Sequence, residues 1–327
     1  MTGKPGGRDT GADSEPGSPA SSGGTFAARL AAGQFAVTAE IGPPRGADLA
    51  PVTEKAARLR GHVDAVNITD NQSAAVRLSS LAGSLAAARA GVEPIMQLTC
   101  RDRNRIALQS ELLSAAALGI PNVVIMTGDH PRHGDHSDAT PVFDLDSSQL
   151  LRVATAMRDE GTLMSGGELR PAPAWLLGAV ENPPAPAGVA GAAPADTATR
   201  RLASKIDAGA QFIQTQFVFD PSAFAGWMSQ IRDLGLHQRC AILAGVGPVR
   251  SLRALAHMQR IPGVHIPDQV ADRLTAAGPD HIRTEGEKLC AEIIAALAEI
   301  PGLAGVHVMA IGAESVIPAI LAEAGLR

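Results

Sequence analysis

Residues Glu93–His130, EPIMQLTCRDRNRIALQSELLSAAALGIPNVVIMTGDH, contain a complete strand–helix–strand unit. EPIMQLT (Glu93–Thr99) and NVVIMT (Asn122–Thr127) are short, nearly continuous apolar runs. Parallel strands covered on both sides have this composition, because neither face stays in water. Between them NRIALQSELLSAAALG has a helical pattern, and Gly119 is its stop signal.

The unit recurs along the chain. Strands are expected at Phe35–Ile41, Val63–Ile68, Trp175–Val180, Phe212–Phe217, Cys240–Val246 and Val306–Ile311, with Ala/Leu-rich helical stretches between them. Together with the opening pair this makes eight strands alternating with helices, which predicts an α/β fold of the (β/α)8 TIM-barrel type. A doubly wound sheet is the alternative, since strand count alone does not show closure. Residues 1–24 are rich in Gly, Ser, Pro and Asp, bury little apolar surface and are expected to be a disordered tail. Residues 25–327 are expected to form a single barrel domain.

Composition narrows the function. The 327 residues carry a net charge of −5, which gives no general attraction to nucleic acid or anionic membrane. The chain has no tyrosine and is 3% aromatic, which argues against stacking on bases. Cys100, Cys240 and Cys290 are far apart and form no C-x-x-C, so zinc-ribbon and iron–sulfur spacings are absent. Sparse cysteine fits a cytoplasmic protein. No apolar run has the length of a membrane helix, and the N-terminus lacks the apolar core of a secretory signal.

Polar residues gather at the strand ends, where barrel active sites lie. Glu40 closes the first strand, before Gly42-Pro43-Pro44. A carboxylate there is partly desolvated, which suits general acid work, although a salt-bridged or capping Glu accounts for it equally well. Asn67, Thr69 and Asp70 end the second strand, and Gln97, Thr99 and Arg101 the third. Arg101, Arg103 and Arg105 could meet phosphate, but pairing with nearby acids explains most of them. Asp129 ends the fourth strand. Gln214 and Gln216, two apart on the sixth, place an amide pair on one face, to be satisfied by a polar heterocycle, water or backbone.

Two connections are long, from Asp129 to about Asp146 and through ENPPAPAGVAGAAPADTATR after the fifth strand. Loops of this length are usually functional or mobile. The first carries His130, His133 and His136. Their spacing is not the i, i+4 pattern of a zinc helix, and Pro131 and Gly134 interrupt any helix through them. A solvated turn outweighs a metal site, and no metal is expected. Ser–His–Asp hydrolysis lacks its G-x-S-x-G elbow.

AEIGPP, QLTCRDRNR, GIPNVVIMTGDHP and KIDAGAQFIQTQFVFD, in this order and spread over the barrel, resemble the methylenetetrahydrofolate reductase family. The resemblance implies a TIM-type barrel with a flavin, FAD or alternatively FMN, that passes a hydride to 5,10-methylenetetrahydrofolate and yields 5-methyltetrahydrofolate. It implies Glu40 as general acid, Asp129 as the carboxylate between pterin and flavin, and Gln216 as the amide that orients the pterin. It places Lys205, Asn67, Gln97, Thr127 and Gly128 at flavin-contact positions.

The chain differs from the nicotinamide-using pattern of the family at Gln97, Thr127, Val180, Leu252 and Ala313. These stand for histidine, arginine, tyrosine, a nicotinamide-stacking aromatic and arginine. VNITDN, MQLTCRDRNRIALQSE and GDHPRHGDH look closer to a branch that works with a separate electron-transferring subunit. The implied electron source is therefore NAD(P)H or such a partner, and a homo-oligomer is expected. The rival readings are a pterin-dependent enzyme running in the methyl-oxidising direction and a non-catalytic flavin- or folate-binding subunit.

Overall fold

The computed structural model describes residues 24–326, except 187, 188, 190 and 192. Residues 1–23, most of the expected tail, lie outside the described residues. Eight parallel strands are β1 (Ala36–Ile41), β2 (Ala65–Ile68), β3 (Pro94–Thr99), β4 (Asn122–Met126), β5 (Leu176–Glu181), β6 (Phe212–Phe217), β7 (Ala241–Val246) and β8 (Gly305–Val308). Each pairs with the next, and β1 pairs with β8 through Thr38 opposite His307. That last pairing closes the barrel and excludes the open doubly wound sheet.

The opening unit folds as its pattern predicts. Asn104 caps the helix Arg105–Ala117 by accepting from the amides of Ile106 and Ala107. Gly119 then turns the chain at φ +73°, a left-handed conformation that costs other residues dearly. The eighth strand ends earlier than expected, at Val308 instead of Ile311. Ile311 is half exposed beside Gly312 at φ +72°, so apolar character there reflects a turn and not pairing.

The barrel interior is layered. At its N-terminal end Ala36, Ala65, Ile95, Val124, Phe212 and Leu243 form an apolar floor. Phe26, from the helix Thr25–Ala31, plugs this end and meets Phe212 edge to face at 5.3 Å. Gly178 makes room for the plug, since a Cβ there would lie 2.3 Å from the Phe212 ring. The larger apolar cluster lies between the outward strand faces and the helices, with Val37, Ala39 and Ile41 of β1 among its members. Because the bottom is sealed, polar side chains nearer the C-terminal ends open only toward the upper mouth.

Candidate active site at the barrel mouth

Alternation along β1 places Thr38 and Glu40 on the interior face above Ala36. Thr38 belongs to a buried polar layer with Asn67, Gln214 and His307. Asn67 and Gln214 exchange both amide bonds, Nδ2 donating to Oε1 at 2.6 Å and Nε2 to Oδ1 at 2.9 Å. Gln214 Nε2 also reaches Thr38 Oγ1 at 3.2 Å, and Thr38 Oγ1 lies 2.9 Å from His307 Nδ1. Buried amides are costly without partners, and here each amide has one.

Glu40 stands one layer higher and is 7% exposed. Gln97 Nε2 donates to its Oε2 at 3.0 Å, and His307 Nε2 lies 3.8 Å from the same oxygen. Oε1 has no hydrogen-bond partner among the described residues. A carboxyl group gripped on one oxygen and free on the other can exchange a proton with a molecule in the mouth.

The arginines after β3 are committed elsewhere. Arg103 forks onto Asp70 at 2.7 and 3.1 Å, and Asp70 also accepts from the Thr99 amide and hydroxyl. Arg101 pairs with Asp102 at 2.7 Å, and Arg105 with Asp144 at 2.7 Å. Burial would raise Asp102, but the bonds from Arg101 outweigh it and hold the carboxyl below its usual range. Arg105 holds Asp144 down at about 2. All three arginines of this basic cluster are thus paired with nearby acids. Cys100, Cys240 and Cys290 are buried, which pushes each thiol up to about 12 and removes them as nucleophiles.

The β4 loop forms one wall. Thr127 and Asp129 are exposed, and Gly128 between them has φ +86°. The Thr127 hydroxyl donates to Ser147 Oγ at 3.1 Å and accepts from the Ser147 amide, which ties it to the start of the next helix. Farther on, the loop docks on the β2 loop. Asp135 accepts from the Val76 amide at 3.1 Å, and a Cβ on Gly134 would lie 1.8 Å from the Ala74 carbonyl oxygen. Asn71, Ser73 and Ala74 all have positive φ, a strained run of the kind that clusters at functional sites. His130 is used locally, its Nδ1 accepting from the Arg132 amide. Among the described residues no three His, Cys, Asp or Glu side chains converge as a metal site.

Lys205 sits on the helix Ala195–Asp207 and donates to Glu181 at 2.7 Å and to the Val180 carbonyl. Arg201 meets the other oxygen of Glu181, a buried carboxylate that closes β5. Gln216 lies within an irregularity in β6 pairing, between Gln214 and Phe217, and its Oε1 accepts from the Phe217 amide. It is half-buried, so it stands above Gln214 and not in the same layer. Leu252 is exposed and Ala313 buried.

The structure thus gathers Glu40 and Gln97 directly, with Asn67 one layer below. It leaves Gly128 and Asp129 on the β4 wall and ties Lys205 into an ion triad. A cavity of about 380 Å³ lies away from this site, on the outer surface between Asp196 and Asp233. Thr38 and His307 went unread in the sequence, and Glu181 was read only as the start of a long loop. The signal for His307 was a lone histidine inside an apolar strand, and for Thr38 its spacing of two from Glu40.

A family model described as methylenetetrahydrofolate reductase matches residues 25–325. Methylenetetrahydrofolate reductase 1 of Schizosaccharomyces pombe is 24% identical over 237 residues, covering 72% of this chain and 36% of that protein. A probable methylenetetrahydrofolate reductase (NADPH) of Caenorhabditis elegans is 25% identical over 238 residues, covering 72% and 33%. The chain therefore spans about a third of the length of these relatives. A solved Clostridium thermocellum protein, described as binding two copies of 5-methyl-5,6,7,8-tetrahydrofolic acid, superposes with TM-score 0.63 at 14% identity. It covers 90% of this chain and 97% of that one. This likeness concerns the fold alone.

Proposed function

Because the chain belongs to the methylenetetrahydrofolate reductase family, we propose that it reduces 5,10-methylenetetrahydrofolate to 5-methyltetrahydrofolate at the barrel mouth. The observation that carries the proposal is Glu40, a nearly buried carboxyl held on Oε2 by Gln97 with Oε1 free. A proton from Glu40 to the folate nitrogen breaks one C–N bond of the methylene bridge and leaves a cationic iminium. Addition of a hydride to that carbon gives the methyl group. Asp129, exposed on the β4 wall, supplies negative charge to favour the cation. Gln216, half-buried at the rim, would orient the pterin.

One observation supports a flavin in this mouth. Thr69 Oγ1, at the end of β2, is buried without a partner among the described residues, so a ring heteroatom would satisfy it. Gln97, Thr127, Gly128 and Asp129 would line that flavin, with Asn67 supporting the layer beneath and Lys205 fixing the β5 edge. FAD is the proposed form, and the flavin would supply the hydride. The position expected to stack on nicotinamide carries Leu252, which favours a partner protein as the electron source over NAD(P)H. Among the described residues no helix is long and apolar enough to cross a membrane.

The test is direct. Pure protein should carry a flavin spectrum, and Glu40→Gln should keep the flavin and lose methyltetrahydrofolate formation. A colourless protein, or a Glu40→Gln variant of undiminished rate, would refute the proposal.

A further inference from the structure

The polar layer under Glu40 has a direction. Gln214 Nε2 can only donate, and it donates to Asn67 Oδ1 at 2.9 Å and Thr38 Oγ1 at 3.2 Å. The Thr38 hydroxyl has two acceptors for its one hydrogen, His307 Nδ1 at 2.9 Å and the Val306 carbonyl at 3.5 Å, and the shorter contact favours Nδ1. Gln214 Nε2 also lies 3.3 Å from Nδ1, so its second hydrogen is shared between Thr38 Oγ1 and this nitrogen. This arrangement favours Nδ1 as the acceptor and places the hydrogen of the neutral ring on Nε2. That hydrogen faces Glu40 Oε2, 3.8 Å away. Active-site contacts of this length commonly shorten when substrate binds. Gln97 donates to the same oxygen from the β3 side at 3.0 Å.

We propose that His307 is a positioning residue for Glu40. Together with Gln97 it pins Oε2, so that Oε1 carries and delivers the proton. The apolar plug of Phe26 and Phe212 lies at the opposite end of the barrel, so His307 acts by holding the carboxyl and the proton enters from the mouth. A carboxyl with two donors on one oxygen has one rotational state and one protonation site. A carboxyl without them divides its population, and only one fraction is aligned with the substrate.

The inference rests on the folate-reducing reading of the site, and its test separates the two. Turnover and KM for methylenetetrahydrofolate are measured for the wild type, His307→Leu, His307→Gln and Thr38→Val, each with flavin content and melting temperature. Leucine removes the Nε2 donor, and kcat should fall about 10²-fold with KM within about two-fold of wild type. Glutamine can present an amide N–H near the lost Nε2 and should recover kcat to within about five-fold of wild type. Thr38→Val keeps the histidine but releases Nδ1, and NMR of isotope-labelled histidine should show the Nε2–H tautomer in the wild type and a mixture in this variant.

Equal losses in the leucine and glutamine variants, or a rise in KM in place of a fall in kcat, would overturn the positioning role. A hydrogen on Nδ1 in the wild type would overturn it even if His307→Leu failed to fold. A wild type that makes no methyltetrahydrofolate would refute the folate reading, and the role of His307 with it. A wild type that makes it, with variants that do not divide as described, would refute only the role of His307.

Discussion

Glu40 and His307 stand on β1 and β8, the two strands whose pairing closes the barrel, and their side chains approach to 3.8 Å. The proposed acid therefore sits on the closing seam. Residues 267 apart in sequence become neighbours only when the last strand returns to the first. Whatever loosens the seam also loosens the acid.

Glu40→Gln removes the proton and keeps the shape. The glutamine amide can still meet Gln97, so the fold and the bound flavin should be retained. Folate reduction should fall by about 10²- to 10⁴-fold, the usual contribution of a general acid. Rapid mixing of the reduced variant with methylenetetrahydrofolate measures it, and a rate near wild type would remove Glu40 from the acid role.

Asp129→Asn takes one negative charge from the wall of the mouth. Electrons added to a nearby flavin then meet less repulsion, so its reduction potential should rise. The expected rise is on the order of 30 mV, about 1.4 kcal/mol for a two-electron couple. Potentiometric titration against a reference dye gives the value, and an unchanged potential would place Asp129 away from the ring.

Anaerobic addition of NADH or NADPH tests the electron source. With Leu252 at the expected stacking position, neither nucleotide should bleach the flavin rapidly, whereas dithionite should. Fast bleaching by either nucleotide would show direct hydride uptake and dispense with a partner protein.

Asp144 supplies a pH signature. Arg105 lowers its folded value from 3.8 to about 2, so its contribution to stability is full above pH 4 and is lost as pH falls toward 2. Arg105 is half exposed and Asp144 partly exposed at the surface, so the contribution is small and screened by salt. Melting temperatures of wild type and Arg105→Gln should differ by a constant amount above pH 4 and converge near pH 2. A difference that persists at pH 2 would assign the effect to packing of the Arg105 chain.

Phe26→Ala opens the sealed end of the barrel. Phe26 is fully buried and packs edge to face on Phe212, so its loss should cost about 3–5 kcal/mol of stability, read from denaturant midpoints. The flavin spectrum should survive, since the plug lies at the end opposite the mouth. A loss below 1 kcal/mol would mean that neighbouring side chains collapse into the gap.

The barrel was legible because each strand is apolar on both faces and each helix is bounded by turn residues such as Gly119. Polar residues that interrupt those runs marked the mouth, which is how Glu40, Gln97 and Asp129 were found. Pairing was less legible. Arg103 and Asp70 are 33 positions apart, and only the adjacency of β2 and β3 shows that one neutralises the other. Lys205 and Glu181 are a similar case, read separately as a contact residue and a loop start but joined in one ion triad. His307 stayed hidden because a histidine in an apolar strand is ambiguous until the barrel closes and sets it beside Glu40. The early end of β8 was missed because the apolar run through Ile311 continues past the last pairing partner of the strand.

The most direct measurement is a single turnover without any external donor. The flavin is reduced chemically under anaerobic conditions, one equivalent of methylenetetrahydrofolate is added, and flavin absorbance and folate products are followed together. The account predicts reoxidation of the flavin with one 5-methyltetrahydrofolate formed per flavin, and neither change in Glu40→Gln. A flavin that stays reduced beside unreacted methylenetetrahydrofolate would contradict it.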